Sequence, residues 1–264
     1  MTIGFIGLGN MAKAMIGGML IQKIVKKDEI YGSALSDSTL KKVQDTYGIH
    51  TTKDNLEVAK KADILILAVK PQFYPQVIEE IKGVITKKQI IVSIAPGKSM
   101  EWLTELFGQT IKMVRCMPNT PALVGEGCTG FCTNDKVSEE EVKTVKNILC
   151  SFGKAYEVPE RLMDVVVGIS GSSPAYVFLF IEAMADAAVA EGMSRSQAYE
   201  FSAQAVLGSA KMVLETGKHP GELKDMVCSP GGTTIQAVKV LEEKGFRGAV
   251  MDAVVTCIEK SKNI

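Results

Sequence analysis

Through its first 150 or so residues the chain alternates short β-branched apolar runs with longer stretches whose apolar positions recur at helical spacing. Ile3–Ile6, Glu29–Ser33, Asp63–Val69, Gln89–Ala95 and Ile111–Cys116 read as strands. Asn10–Val25, Ser36–Tyr47, Asp54–Lys61, Phe73–Val84 and Ser99–Phe107 read as the helices between them. Such alternation predicts a parallel sheet covered by helices on both faces. The run from Ile64 to Val69 is apolar at every position, as a central strand covered on both sides must be. Gly48 supplies a helix stop after Tyr47, and Ser138 with Glu141 makes a capping box for a helix reaching about Cys150.

Beyond Pro159 the strand signals vanish. Helical spacing marks residues of about 161–169, 174–191, 195–215, 220–227, 232–243 and 247–261. Ser194 and Gln197 offer a second capping box after Gly192. The expected fold is therefore α/β: a doubly wound, Rossmann-type domain over 1–159, followed by an all-helical domain over 160–264. The helix from Ala175 to Ala190 is apolar nearly all round and must be covered on every side. Six helices forming one layer hardly achieve that within one chain, which predicts a homodimer packed through this domain. A compact monomeric bundle with that helix at its centre is the alternative.

Composition narrows the function classes. The 264 residues carry 30 Lys+Arg against 30 Asp+Glu, with no basic block. An electrostatic hold on nucleic acid or an anionic membrane is not expected. Met1-Thr2 runs straight into the first apolar run without a basic leader, and the most apolar helix carries Glu182 and Asp186. A soluble cytoplasmic protein follows as the expectation. The six cysteines form no disulfide framework in a chain this large. Cys128 and Cys132 lack a second Cys/His pair nearby, so no metal site is expected.

The chemistry begins at residue 7. Gly7-Leu8-Gly9-Asn10-Met11-Ala12 follows the first strand and opens the first helix. Gly7 permits the tight turn, Gly9 lets backbone N–H groups approach a pyrophosphate, and Ala12 keeps helix and strand close. The strand–helix–strand context makes this a dinucleotide site and not merely a glycine-rich turn. The second strand ends Ile30-Tyr31-Gly32-Ser33, without the acid that binds a ribose 2′-hydroxyl in NAD enzymes. Ser33 and Ser36 are instead suited to donate to a 2′-phosphate, which favours NADPH, with NADH as the alternative. The strand ends Val69-Lys70-Pro71, Ile94-Ala95-Pro96-Gly97 and Arg115 to Asn119 converge on the same crevice.

In the helical half, Gly168 to Tyr176 joins two helices, and Ser229-Pro230-Gly231-Gly232-Thr233-Thr234 precedes another. Glycines followed by threonines at a helix start leave backbone N–H groups free to seat a carboxylate. Thr234 adds a hydroxyl able to accept from, or donate to, a reacting nitrogen. An ordinary capped helix start accounts for the same residues.

At this point the chain resembles a known family, pyrroline-5-carboxylate reductase, over essentially its full length. The resemblance rests on Phe5 to Met11, Ala68-Val69-Lys70-Pro71-Gln72, Arg115 to Pro121, Ser170 to Tyr176, and above all His219-Pro220-Gly221 through Thr234. It implies reduction of L-1-pyrroline-5-carboxylate to L-proline by hydride transfer from NADPH, the last step of proline biosynthesis. It also implies an NADPH cleft of Gly7 to Ala12, Ser33, Asn55, Ala68 to Pro71 and Ile94-Ala95. Cys116, Met117 and Asn119 would flank the nicotinamide. Ser229, Gly232, Thr233 and Thr234 would form the substrate seat, with Thr234 on the ring nitrogen. Dimers with intertwined helical domains, often assembled into rings, are implied as well. Ser173 departs from the glycine usual in the family's Gly-Ser-Gly-Pro-Ala-Tyr run.

Two rivals remain in view. A β-hydroxyacid dehydrogenase needs a lysine on the first interdomain helix, and Ser172 to Glu191 contains none. A nucleotide sensor that has kept the fold and lost catalysis would have no need of both Gly-rich loops.

Overall fold

The computed structural model describes residues 1–263 and divides into two compact units, Met1–Ser172 with the C-terminal stretch from Cys257, and Ser173–Thr256. In the first unit the chain runs β1 (Ile3–Ile6), α1 (Asn10–Ile21), β2 (Ile30–Ser33), α2 (Asp37–Tyr47), β3 (His50–Thr52) and α3 (Asn55–Lys61). It continues through β4 (Ile64–Leu67), α4 (Tyr74–Ile81), β5 (Ile90–Ser93), α5 (Met100–Phe107) and β6 (Lys112–Met117). The unit's sheet is completed by β7 (Gly127–Thr133), α6 (Glu139–Cys150) and β8 (Gly153–Glu157).

These strands form one sheet in the order β3-β2-β1-β4-β5-β6-β7-β8. The first six are parallel, in the order of a dinucleotide-binding fold whose crevice opens where β1 meets β4. β7 runs antiparallel to β6, and β8 parallel to β7. Three strands thus exceed the five expected, and one pairing is antiparallel where an all-parallel sheet was expected. β3 has only three residues, too few to show a period, and β7 (Gly-Cys-Thr-Gly-Phe-Cys-Thr) dilutes its β-formers with glycine.

Alternation along β4 divides the core in two. Ile64 and Ile66 join α1 and α6 in one cluster with Phe5, Met15, Ile16 and Phe131. Leu65 and Leu67 face the other way, with α3, α4 and α5, against Tyr74, Ile78 and Leu103. The Ser138–Glu141 capping box of α6 is present, and Gly48 ends α2 with φ +68°.

After the 3-10 turn Glu160–Leu162, α7 (Met163–Val166) widens into a π-turn, Val167–Gly171. The second unit holds α8 (Ser173–Ala190), α9 (Arg195–Thr216), α10 (Pro220–Val227) and α11 (Thr233–Glu243), and α12 (Phe246–Lys262) begins there. The expected Ser194–Gln197 capping box does not form. The Ser194 hydroxyl donates to Gln197 Oε1 at 2.7 Å and caps no backbone N–H, so the side chains satisfy each other. By length and composition alone the helical run Glu160–Ala190 is apolar enough to cross a bilayer, a test that the core helix of a soluble protein also passes, so it does not overturn the expectation of no membrane segment. In α8 only Ala185 is buried, and Phe178 and Leu179 stand 62% and 67% exposed.

Candidate active site

The crevice at the sheet's carboxyl edge is built by what each strand cannot continue. Gly7 ends β1 with φ +99°, and a Cβ there would stand 2.7 Å from the Ala68 carbonyl oxygen, so only glycine closes this turn. The turn is fixed from both sides, by Gly7 N–H donating to Ser33 O at 3.0 Å and Ala68 N–H to Ile6 O at 2.8 Å. Gly9 is the N-cap of α1, with no side-chain cap on the first-turn N–H groups. A Cβ on Gly9 would meet no protein atom within 4 Å. Nothing in this chain forbids a side chain at Gly9, whereas a pyrophosphate lying on the α1 N-terminus would, so the residues present fit a dinucleotide.

Asn10 is exposed, Met11 half-buried, and Leu8 and Ala12 are buried in the α1 core cluster. Ser33 is only 1% exposed, and its hydroxyl donates to Asn55 Oδ1 at 2.7 Å. A phosphate oxygen can take that hydrogen only by displacing Asn55. Ala68 and Val69 are half-buried, Lys70 is exposed, and Pro71 opens a short 3-10 turn. Ile94 is half-buried beside the buried Ala95.

Cys116 is buried in the core, and desolvation raises its thiol well above the ordinary range. Any approach of Cys116 to a ligand is by its main chain. Met117 is half-buried at the end of β6. The Asn119 amide is engaged twice, donating to Ser170 O at 3.0 Å and accepting from Cys128 N–H at 2.8 Å. A cavity of about 580 Å³ lies elsewhere, against Lys13, Gly17, Tyr47, Cys150 and Lys154, and is lined by none of these crevice residues.

Three supports were not visible in the sequence pattern. Tyr74, fully buried at the start of α4, donates its hydroxyl to Leu67 O at 2.6 Å and accepts from the Ser93 hydroxyl at 3.2 Å. It thereby holds the ends of β4 and β5 where the crevice loops begin. Arg115, 5% exposed, faces Glu160 at 3.2 Å and Asp164 at 3.9 Å. Glu160 also accepts from Met100 N–H at 2.7 Å, and Asp164 from the Ser261 hydroxyl at 2.7 Å. Glu80 accepts from Asn55 Nδ2 at 2.8 Å. Partners on separate elements leave no periodic signal in the chain.

In the second unit the turn ahead of α11 is shaped around Ser229. Gly231 has φ +69°, and Gly232 N–H donates to Ser229 O at 3.0 Å. A Cβ on Gly232 would lie 2.3 Å from Ser229 Oγ, so the serine hydroxyl occupies the space a side chain would need. Gly232 is the N-cap of α11, with no side-chain cap, and Thr233 and Thr234 are its first residues, the former exposed and the latter half-buried. Uncapped N–H groups and two hydroxyls at one helix start are suited to hold a small carboxylate.

A Rossmann sheet with a ligand-ready α1 N-terminus, followed by a helical region, defines a nicotinamide-dependent oxidoreductase. Residues 2–97 match the family model described as NADP oxidoreductase coenzyme F420-dependent, and residues 160–264 that described as pyrroline-5-carboxylate reductase dimerisation. The chain is 52% identical over 262 residues to the pyrroline-5-carboxylate reductase of Escherichia coli, covering 99% of this chain and 97% of that protein. The structure of a pyrroline-5-carboxylate reductase from Coxiella burnetii superposes with a TM-score of 0.92 at 35% identity, covering 99% of this chain and 97% of that one. That of Plasmodium falciparum pyrroline carboxylate reductase, with NADP bound, gives 0.89 at 36% identity and the same coverages. The chain belongs to the pyrroline-5-carboxylate reductase family.

Proposed function

We propose that this protein reduces L-1-pyrroline-5-carboxylate to L-proline with NADPH, and that it acts as a homodimer through its helical domain. The observation that carries the cofactor half is Gly9, a glycine that no atom of this chain requires at the N-terminus of α1. The full-length relationship to reductases of this name supports the substrate. The exposed apolar face of α8, within the dimerisation match, supports the homodimer.

When bound, NADPH supplies the hydride that reduces the C=N carbon. The chain has to position. The first-turn N–H groups of α1 would hold the pyrophosphate, while Ala68 to Pro71 and Ile94-Ala95 would border it. Ser33 and Asn55 stand at the ribose corner, and the main chain of Cys116 and Met117, braced by Asn119, flanks the nicotinamide. Ser229, Gly232 and Thr233 seat the carboxylate, and the Thr234 hydroxyl orients the ring nitrogen. A cyclic imine protonated on nitrogen is already electrophilic at carbon. Hydride from a bound NADPH would supply the new C–H bond while the C=N π pair would pass to the protonated nitrogen, so the chain would have to position the ring and supply no strong side-chain acid.

The deciding experiment follows NADPH absorbance with pyrroline-5-carboxylate and with hydroxyacids, in the wild type and in Thr234→Ala. Turnover of the imine alone is expected, falling tenfold or more in the variant with NADPH binding nearly unchanged (~1.4 kcal/mol per tenfold). Wild-type turnover in the variant would remove Thr234 from the mechanism. Tight NADPH binding without turnover of any imine would remove the reductase assignment.

A further inference from the structure

Ser33, Asn55 and Glu80 form a chain of three side chains at the carboxyl end of β2. The Ser33 hydroxyl donates to Asn55 Oδ1 at 2.7 Å, and Asn55 Nδ2 donates to Glu80 Oε2 at 2.8 Å. An ionised carboxylate can only accept, so Glu80 decides which way the Asn55 amide points: NH₂ toward α4, oxygen toward Ser33. That oxygen takes the single Ser33 hydrogen. Of the two donors expected at this corner, Ser36 caps α2 and gives its hydrogen to Thr39 Oγ1 at 2.8 Å, and Ser33 gives its own to the Asn55 oxygen, so the Ser33 side presents an amide oxygen and a carboxylate. Lys53, in the loop before α3, is paired with Asp37 at 2.8 Å, so its charge is already answered by an acid.

We infer that Glu80, which no motif marks, sets the nicotinamide cofactor preference of this protein. It is a positioning residue acting through Asn55. Its hydrogen bond fixes the amide, and its charge opposes a 2′-phosphate at the corner where a ribose 2′-hydroxyl could donate. Glu80 thereby narrows the margin by which NADPH is preferred over NADH. This rests on the reading that Ser33 and Asn55 border the adenosine ribose.

The test compares wild type, Glu80→Gln and Asn55→Ala, measuring kcat/KM for NADPH and NADH and, without imine, the affinities for NADP⁺ and NAD⁺. Glutamine keeps the shape and loses the charge. Glu80→Gln is expected to raise the NADPH/NADH ratio about fivefold in dilute buffer, with a smaller gain near 1 M salt, where exposed charges are screened. Damage to the fold would move both cofactors together and leave the ratio in place. A ratio within twofold of wild type in Glu80→Gln, with Asn55→Ala shifting it, overturns the role of Glu80 and leaves the ribose placement standing. Wild-type constants for both cofactors in both variants would overturn that placement and the inference with it.

Discussion

Asn119 Nδ2 donates to the Ser170 carbonyl oxygen at 3.0 Å, across 51 residues of chain, while its Oδ1 accepts the Cys128 N–H at 2.8 Å. One buried amide thus ties the loop after β6 to the start of β7 and to the π-turn Val167–Gly171. π-Turns recur at functional sites, and this one presents a carbonyl to the crevice loop instead of continuing the α-helical ladder. Asn119→Ala leaves the half-buried Cys128 N–H and Ser170 C=O without this partner. We expect a loss of about 2 kcal/mol in urea unfolding, with a smaller loss in Asn119→Asp, which keeps the acceptor for Cys128. Because the same loop is proposed to flank the nicotinamide, kcat/KM for NADPH should fall in the same order. Equal stability of all three proteins would show that the bonds are not held in solution.

The two glycines of the first loop separate folding from binding. Gly7→Ala puts a Cβ 2.7 Å from the Ala68 carbonyl oxygen at φ +99°, and should cost about 2–3 kcal/mol of stability. Gly9→Ala meets no protein atom within 4 Å and should cost about 1 kcal/mol or less, the difference between Gly and Ala as an N-cap. Its KM for NADPH should nonetheless rise roughly tenfold or more, about 1.4 kcal/mol of lost binding. Thermal melts of the two apoproteins and cofactor titrations check both halves. A Gly9→Ala protein with normal cofactor affinity would move the pyrophosphate away from α1.

These glycines also show what the sequence makes legible. A strand followed by a Gly-rich turn and a helix is a local pattern, so β1, Gly7 and the start of α1 fall where the spacing puts them, while α1 ends at Ile21, short of the expected Val25. β7 and β8 have no such local mark, because their pairing is written in contacts between distant segments. The same distance hides Tyr74, Arg115 and Glu80, each of which works through a partner on another element. Ser33 stands at the end of β2 as expected, but its hydroxyl points to Asn55, and the residue type alone cannot say which acceptor a buried hydroxyl will choose.

Two buried thiols give the protein an alkaline limb. Burial pushes the Cys132 thiol from 9.0 up to about 12, and raises Cys116 further in the same direction. Between about pH 9 and pH 12 the unfolded chain gives up these protons while the folded chain keeps them. The folded state then binds more protons, so stability is full below pH 9 and is lost as pH rises, by up to ~1.4 kcal/mol per pH unit for each thiol. Cys132→Ala should flatten that slope by one thiol, read from urea midpoints between pH 8.5 and about 10.5. A slope identical to wild type would place the alkaline sensitivity elsewhere.

The apolar face of α8 makes the last expectation the most direct. Phe178 and Leu179 stand at 62% and 67% exposure on the same helix as Val177 and Phe180, apolar surface of the kind that marks a partner surface. Burying each large apolar side chain is worth about 1.5–3 kcal/mol, so several together outweigh the cost of association. Leu179→Glu replaces one of them with a charge that a dimer interface would have to desolvate. The wild type should sediment at twice the single-chain mass of 28.4 kDa at micromolar concentration, and Leu179→Glu at 28.4 kDa, with its helix content retained by circular dichroism. A substitution at Phe178 should act the same way, because it too is an exposed apolar side chain of α8, within the residues that the dimerisation match spans. If both variants sedimented as the wild type does, the partner surface would have to be sought away from α8.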